Sequence, residues 1–498
     1  MDYLALLITD AGIMILELVA SRLMSPYFGN SNFVWTAIIG IILLAGSLGN
    51  LLGGKIASAS KNARLSAGIL LLCAVIYVAL IPVISVPVLE SIQDGNMGTQ
   101  FSSVLGSIVL FLIPSTLLGI MPPILMKERI GSSKDKGKES GRITAVIAIG
   151  SLIGTFLGGF FLIPALGTQM IFVLVAVILL IATLCFRPLK NIELKAQKSA
   201  FAVVIAIAVA IIIYSFSVVC LDKNSLDNGG SISIDTEYGR IIIENGEYDG
   251  DKVRYYKQSG AYSSATYLDE DKKYDLVYPY LKKYDLMFDF IEAKDVAMIG
   301  GAAYQYPKYY ISHFPDKTMD VIEIDPESTR IAKEYFYLED LISDYNLEET
   351  NRLGLYNEDG RVFLDNTDKK YDAVLNDAFS GEVPVGTLAT TEAAQIIKDS
   401  LNDDGVYISN VLGAIKGEKG KFMRAEIKTL QKVFKHVYVV NARENVKDDS
   451  YSNRMVIATN NDDFKPENVV KVEIKDSDIV LTDDYCPIDS LISTNYHD

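Results

Sequence analysis

Histidine and cysteine are nearly missing from this chain, with three and four among its 498 residues. His313, His436 and His497 are too few for a histidine-based catalytic site, and each reads as a surface or helix-end residue. Cys73, Cys185 and Cys220 fall in or at the ends of apolar segments, which leaves Cys486 alone in the polar part of the chain. An internal disulfide framework is therefore excluded there, and no cluster has metal-ligand spacing, so no metal is expected. The chain also lacks internal repeats and low-complexity tracts, and no nucleic-acid partner is expected.

Charge is short where apolar residues are plentiful. The net charge is −16, yet residues 1–220 hold 14 Lys+Arg and 9 Asp+Glu, against 32 and 53 in the remainder. Two different solvents follow: a membrane for the first part and water for an acidic second part. Seven apolar segments are long enough to span, at about 3–24, 33–54, 65–89, 101–126, 143–163, 168–186 and 199–220. The first is not expected to be a cleaved signal peptide, because it lacks a basic start and carries Asp10 and Glu17. Those two acids share a helix face; carboxylates so placed suggest a cation or proton path, or else are protonated or paired, as Glu17 with Arg22. Gly49 and Gly53, then Gly150, Gly154 and Gly158, have the spacing of close helix packing. Pro114, Pro122 and Pro123 predict a kinked or broken fourth segment.

Basic residues gather after the second, fourth and sixth segments, including Lys55 and Arg64, then Lys127 to Arg142, then Arg187 to Lys198. Loops near 90–100 and 164–168 carry none. The positive-inside rule then puts the amino terminus in the cytoplasm and the acidic part outside the cell membrane.

A polar linker at 221–230, LDKNSLDNGG, separates this multi-span helical domain (1–220) from the rest. Residues 231–270 read as a small β-meander with Asn-Gly and Asp-Gly turns, and 271–498 as an α/β Rossmann-like, methyltransferase-type domain. A helix is expected over Tyr274–Ile291. Asp295–Ile299 reads as a buried strand, Gly300-Gly301 as a turn, Tyr304–His313 as a helix and Met319–Ile324 as the next parallel strand. In such a βαβ unit the first turn lies at the carboxyl edge of the sheet, where ligands bind. Adjacent glycines alone are satisfied by a plain turn. Glu323, about 20 residues on, is where an acid would bond the ribose hydroxyls of an adenosine, and it turns the reading towards a nucleoside site. Asp359-Gly360 and Asp377 end further strands over the same crevice, and Tyr274 could cover its reactive end. Each alone is satisfied by a helix cap or a turn.

IGGAAYQYPKYY, DVIEIDP, NEDGRVFL and YDAVLNDAFSG resemble the glycine motif, ribose acid, adenine contact and catalytic loop of the spermidine synthase (polyamine aminopropyltransferase) family. SPYFGNSNFVWTAIIGIILLAGSLGNLLGG and LTDDYCPIDSL resemble the branch fused to a multi-span membrane domain. The resemblance implies aminopropyl transfer from decarboxylated S-adenosylmethionine to an amine such as putrescine, leaving methylthioadenosine. Asp377 would then be the base and Tyr274 its helper. Gly300, Gly301, Glu323, Asp359 and Gly360 would hold the donor, and a homodimer would be common. Three departures stand out: Ala303 where the family carries an Asp for the donor's ammonium, Ser380-Gly381 in place of a second Asp before a proline, and Ser263 for a glutamine. Glu382 is a candidate replacement. Intact S-adenosylmethionine with methyl transfer, or binding of a nucleoside or polyamine without turnover in a transporter or sensor, are the alternatives.

Overall fold

The computed structural model describes residues 1–492 apart from 30, 61, 96, 190, 191, 193, 222–225, 227–229, 259, 260, 290, 381 and 382. Gly381, Glu382, His497 and most of the 221–230 linker thus lie outside the described residues. The chain forms two compact units, Met1–Asn224 with Ile232–Arg240, and Ser225–Ser231 with Ile241–Asp498.

Among the described residues of the first unit, seven helices are long and apolar enough to cross a membrane. They run over Asp2–Phe28, Asn32–Ala59, Ala63–Asp94, Thr99–Gly131, Lys136–Ala165, Thr168–Cys185 and Lys195–Cys220. Small residues set their spacing. A Cβ on Gly150 or Gly154 would stand 2.5 or 2.3 Å from the carbonyl oxygens of Leu7 and Ala11, so the first and fifth helices meet backbone to backbone. The fourth helix is broken. Helix Thr99–Ser107 widens into a π-turn over Ile108–Leu112, resumes at Ile113–Leu118, and restarts at Met121. Pro114, Pro122 and Pro123 sit in the first turns of these pieces, where the missing N–H needs no partner. Arg64 joins Asp2 (3.1 Å) and Glu128 (2.6 Å), and Arg129 also reaches Asp2 (2.6 Å), tying three helix ends together. Strand β1 (Ser231–Asp235) carries the carboxylate that accepts from the Thr168 N–H and pairs with Arg240, while Arg22 donates to the Thr236 carbonyl (3.0 Å).

The second unit begins with an antiparallel meander of β2 (Arg240–Tyr248), β3 (Asp251–Gln258) and β4 (Ala261–Tyr267). Asn245-Gly246, expected to turn, instead lies inside β2, paired with Arg254 and Val253. Asp249-Gly250 makes the turn, with φ of 54° and 89°. Those paired positive angles suit the two-residue hairpin, whereas Gly246 yields space to the Tyr255 ring. The helix expected over Tyr274–Ile291 is also absent. A 3₁₀ segment runs over Pro279–Asp289 instead; Pro279, with no N–H to donate to a carbonyl one turn earlier, stands at its start and disfavours one continuous helix from Tyr274.

The main sheet contains β5 (Asp295–Ile299), β6 (Thr318–Ile322), β7 (Leu353–Tyr356) and β8 (Tyr371–Asn376). A short hairpin follows, β9 (Phe379–Ser380) with β10 (Val383–Pro384). Then come β11 (Leu401–Gly413), β12 (His436–Asn441) and β13 (Ser452–Thr459). Spatial order is β12-β13-β11-β8-β5-β6-β7, parallel except that β13 runs against both neighbours. Both faces are covered: Val296 and Met298 point into one apolar core, Ala297 and Ile299 into another. That is why β5 reads as an unbroken apolar run.

Candidate active site

Four parallel strands bring their carboxyl ends into one row, and three backbone hydrogen bonds fix it. Gly300 N donates to Ile322 O, Glu323 N to Tyr356 O, and Asp377 N to Ile299 O, each at 2.9 Å. The chain leaving β5 is a left-handed loop, with φ of 90° at Gly300, 45° at Ala302 and 57° at Tyr304. A Cβ on Gly300 would stand 2.8 Å from the Asp377 carbonyl oxygen, so the glycine lets the two loops touch.

Glu323 is the acid at the end of β6, and it is buried. Its Oε2 accepts from Gly301 N (2.8 Å) and Ala302 N (2.9 Å), and its Oε1 from Asp325 N (3.0 Å). The carboxylate thus clamps the strained loop. Burial pushes its pKa up, and the three N–H donors hold it back. A carboxylate has about four acceptor positions, so Oε1 can still take one more donor.

Asp359 caps the helix Gly360–Asn366, with Oδ1 accepting from Arg361 N (2.9 Å) and Val362 N (3.1 Å). Gly360 lets that helix seat on β5, since a Cβ there would meet Ile299 Cγ2 at 2.4 Å.

Asp377 follows β8. Its Oδ1 accepts from Asn410 Nδ2 (2.8 Å) on β11 and its Oδ2 from the Tyr280 hydroxyl (3.0 Å). Tyr284 donates to the Asn376 carbonyl next door (3.1 Å). Desolvation raises the Asp377 carboxyl to about 6, against the side-chain donors Asn410, Tyr280 and Tyr284, which favour the charged form. A carboxylate poised there can accept a proton near neutral pH.

Gly300, Gly301, Glu323, Gly360 and Asp377 therefore meet around one strand end. Tyr274 does not join them. Its hydroxyl donates to Asp344 (2.7 Å) and its ring packs edge-on against Tyr345, at 6.1 Å between centroids. The tyrosine on Asp377 is Tyr280, because the chain passes through extended turns before the 3₁₀ segment delivers it. Sequence reasoning missed Tyr280, Tyr284 and Asn410. The tyrosine-rich run YPYLKKY was the available signal for the first two; Asn410 gave none. Of the departures, Ala303 is fully buried and Ser263 lies on β4.

Residues 280–458 match the spermine/spermidine synthase domain family. Over 124 residues the chain is 29% identical to a polyamine aminopropyltransferase of Vibrio vulnificus (strain CMCP6), covering 24% of this chain and 38% of that relative. Over 142 residues it is 25% identical to a probable polyamine aminopropyl transferase of Bifidobacterium longum (strain NCC 2705), covering 28% and 29%. The chain thus spans less than half the length of these curated relatives. A solved structure of a probable spermidine synthase from Corynebacterium glutamicum ATCC 13032 is 20% identical, with a TM-score of 0.39 over 46% of this chain and 79% of that one. Strand ends, clamped glycine loop and carboxylate all lie within the stretch, residues 280–458, that is similar to the spermine/spermidine synthase domain.

Proposed function

We propose that the chain is a membrane-embedded transferase that moves the amine-bearing propyl chain of an S-adenosylmethionine-type donor to an amine acceptor such as putrescine. Decarboxylated S-adenosylmethionine is the donor implied by resemblance, and the intact form is the alternative. The observation that carries this reading is Asp377, a carboxylate raised to about 6, held by Asn410 and Tyr280 against the Gly300 loop.

A neutral amine attacks the carbon beside the sulfonium; the C–N bond forms, the C–S bond breaks, and sulfur keeps the electron pair as methylthioadenosine leaves. The proton on the new ammonium passes to Asp377. Tyr280 and Asn410 fix that carboxylate and favour its charged form before the amine arrives. Glu323 Oε1 receives a ribose hydroxyl, and Asp359, with Oδ1 committed to its helix, offers Oδ2 to the adenine amino group. The seven apolar helices cross the bilayer, with the amino terminus inside by loop charge.

The test incubates the purified full chain with each donor and a panel of amines, read by mass spectrometry. Methylthioadenosine with an alkylated amine supports the reading. S-adenosylhomocysteine would mean methyl transfer, and binding without product a sensor or transporter.

A further inference from the structure

Gln305 is 3% exposed, yet neither its Oε1 nor its Nε2 has a hydrogen-bond partner. A buried amide left so is costly, and such an orphan calls for an explanation. Gln305 opens the helix Gln305–His313 directly after the left-handed loop. Side chains on a helix lean towards its amino end, which carries this amide back towards the loop. One turn on, Lys308 reaches Thr266 of β4 (3.1 Å) and Tyr309 reaches Asp285 (3.2 Å). Gln305 lies between those two directions on the wheel, towards β4 and the segment that supplies Tyr280. The first-turn N–H groups have no partner within the helix and form its positive end. Ala303, fully buried, brings no counter-charge.

An amide offers one acceptor and two donors. A lone ammonium would satisfy Oε1 and leave Nε2 unpaired beside further N–H groups. A carboxylate would satisfy Nε2 and the helix end. An amino-acid end, with both charges, satisfies all of them. We propose that Gln305 and the first turn of its helix bind the amino-acid tail of an adenosyl donor that keeps its α-carboxylate. This rests on the transferase reading above and settles its donor: the same carbon is attacked and methylthioadenosine still leaves. The group moved is 3-amino-3-carboxypropyl, and Asp377 still takes the amine proton.

The test is calorimetry on the full-length chain in detergent with methylthioadenosine, S-adenosylhomocysteine and its decarboxylated analogue, S-adenosyl-3-thiopropylamine. S-adenosylhomocysteine should bind about tenfold or more tighter than the decarboxylated analogue. Gln305→Leu should erase that preference and leave methylthioadenosine affinity unchanged, which also reports correct folding. Gln305→Glu should reverse the preference, since it sets a carboxylate against an ammonium. Equal or tighter binding of the decarboxylated analogue by the wild type overturns the inference, as does a preference surviving Gln305→Leu. Failure of methylthioadenosine to bind overturns the nucleoside reading as well; its binding without discrimination overturns this inference alone.

Discussion

In the proposed reaction Asp377 concentrates the chemistry in one side chain, and its neighbours decide what a substitution does. Asn410 Oδ1 is buried without a partner, so its amide can turn over and accept from an asparagine at 377. Asp377→Asn should therefore fold, keep its affinity for methylthioadenosine, and lose turnover by roughly 10²–10⁴-fold. Steady-state rates and calorimetry on the same preparation check both halves. The carboxyl also marks stability. Its folded pKa, about 6, lies above the ordinary 3.8, so its contribution is present below about 3.8 and lost as pH rises through 6. Melting temperature against pH should flatten over that window in Asp377→Asn. The tyrosines are separable by the same logic. Tyr280→Phe removes a donor to the carboxylate and should move the acid limb of the pH–rate profile upwards. Tyr274→Phe should leave that limb in place, because its hydroxyl is spent on Asp344.

At the scale of elements, the loop after β5 and the loop after β8 are one device. Glu323 holds the first by two N–H groups, and Gly300 lets it press on the second. Glu323→Gln keeps the shape but places an N–H₂ against at least one backbone donor. Nucleoside affinity should fall by about 1.5–3 kcal/mol, measured by calorimetry with methylthioadenosine. Unchanged affinity would remove Glu323 from the ribose site. Gly300→Ala has a different signature. At φ 90°, with its new Cβ 2.8 Å from the Asp377 carbonyl oxygen, it should destabilise the fold by about 1–3 kcal/mol and lower nucleoside affinity too. Chemical denaturation with methylthioadenosine present and absent separates the two losses.

For the whole molecule, the proposed membrane insertion raises the question of which side the second unit faces. Lys127 to Arg142, at the facing ends of the fourth and fifth helices, is the densest basic stretch of residues 1–220, and the positive-inside rule favours a topology that keeps it in the cytoplasm. If all seven helices cross, the proposal places the second unit outside the cytoplasm. Single cysteines placed at 221–230 of a cysteine-free variant should then react with an impermeant maleimide in intact cells. Labelling only after lysis would put the domain in the cytoplasm and show that one apolar helix does not cross.

Apolar length and period were enough to mark the long helices and the core strands, because those patterns are set by burial within a few residues of themselves. They also placed Gly300, Glu323 and Asp377 at strand ends, where a run of buried residues must stop. What the sequence could not hold was partnership across distance. Tyr280 and Asn410 lie 97 and 33 residues from Asp377 and meet it only because the 3₁₀ segment and β11 are packed beside β8. The reversal of β13 and the choice of Asp249-Gly250 over Asn245-Gly246 are of the same kind. Each local signal allowed either outcome, and pairing with a neighbouring strand selected one.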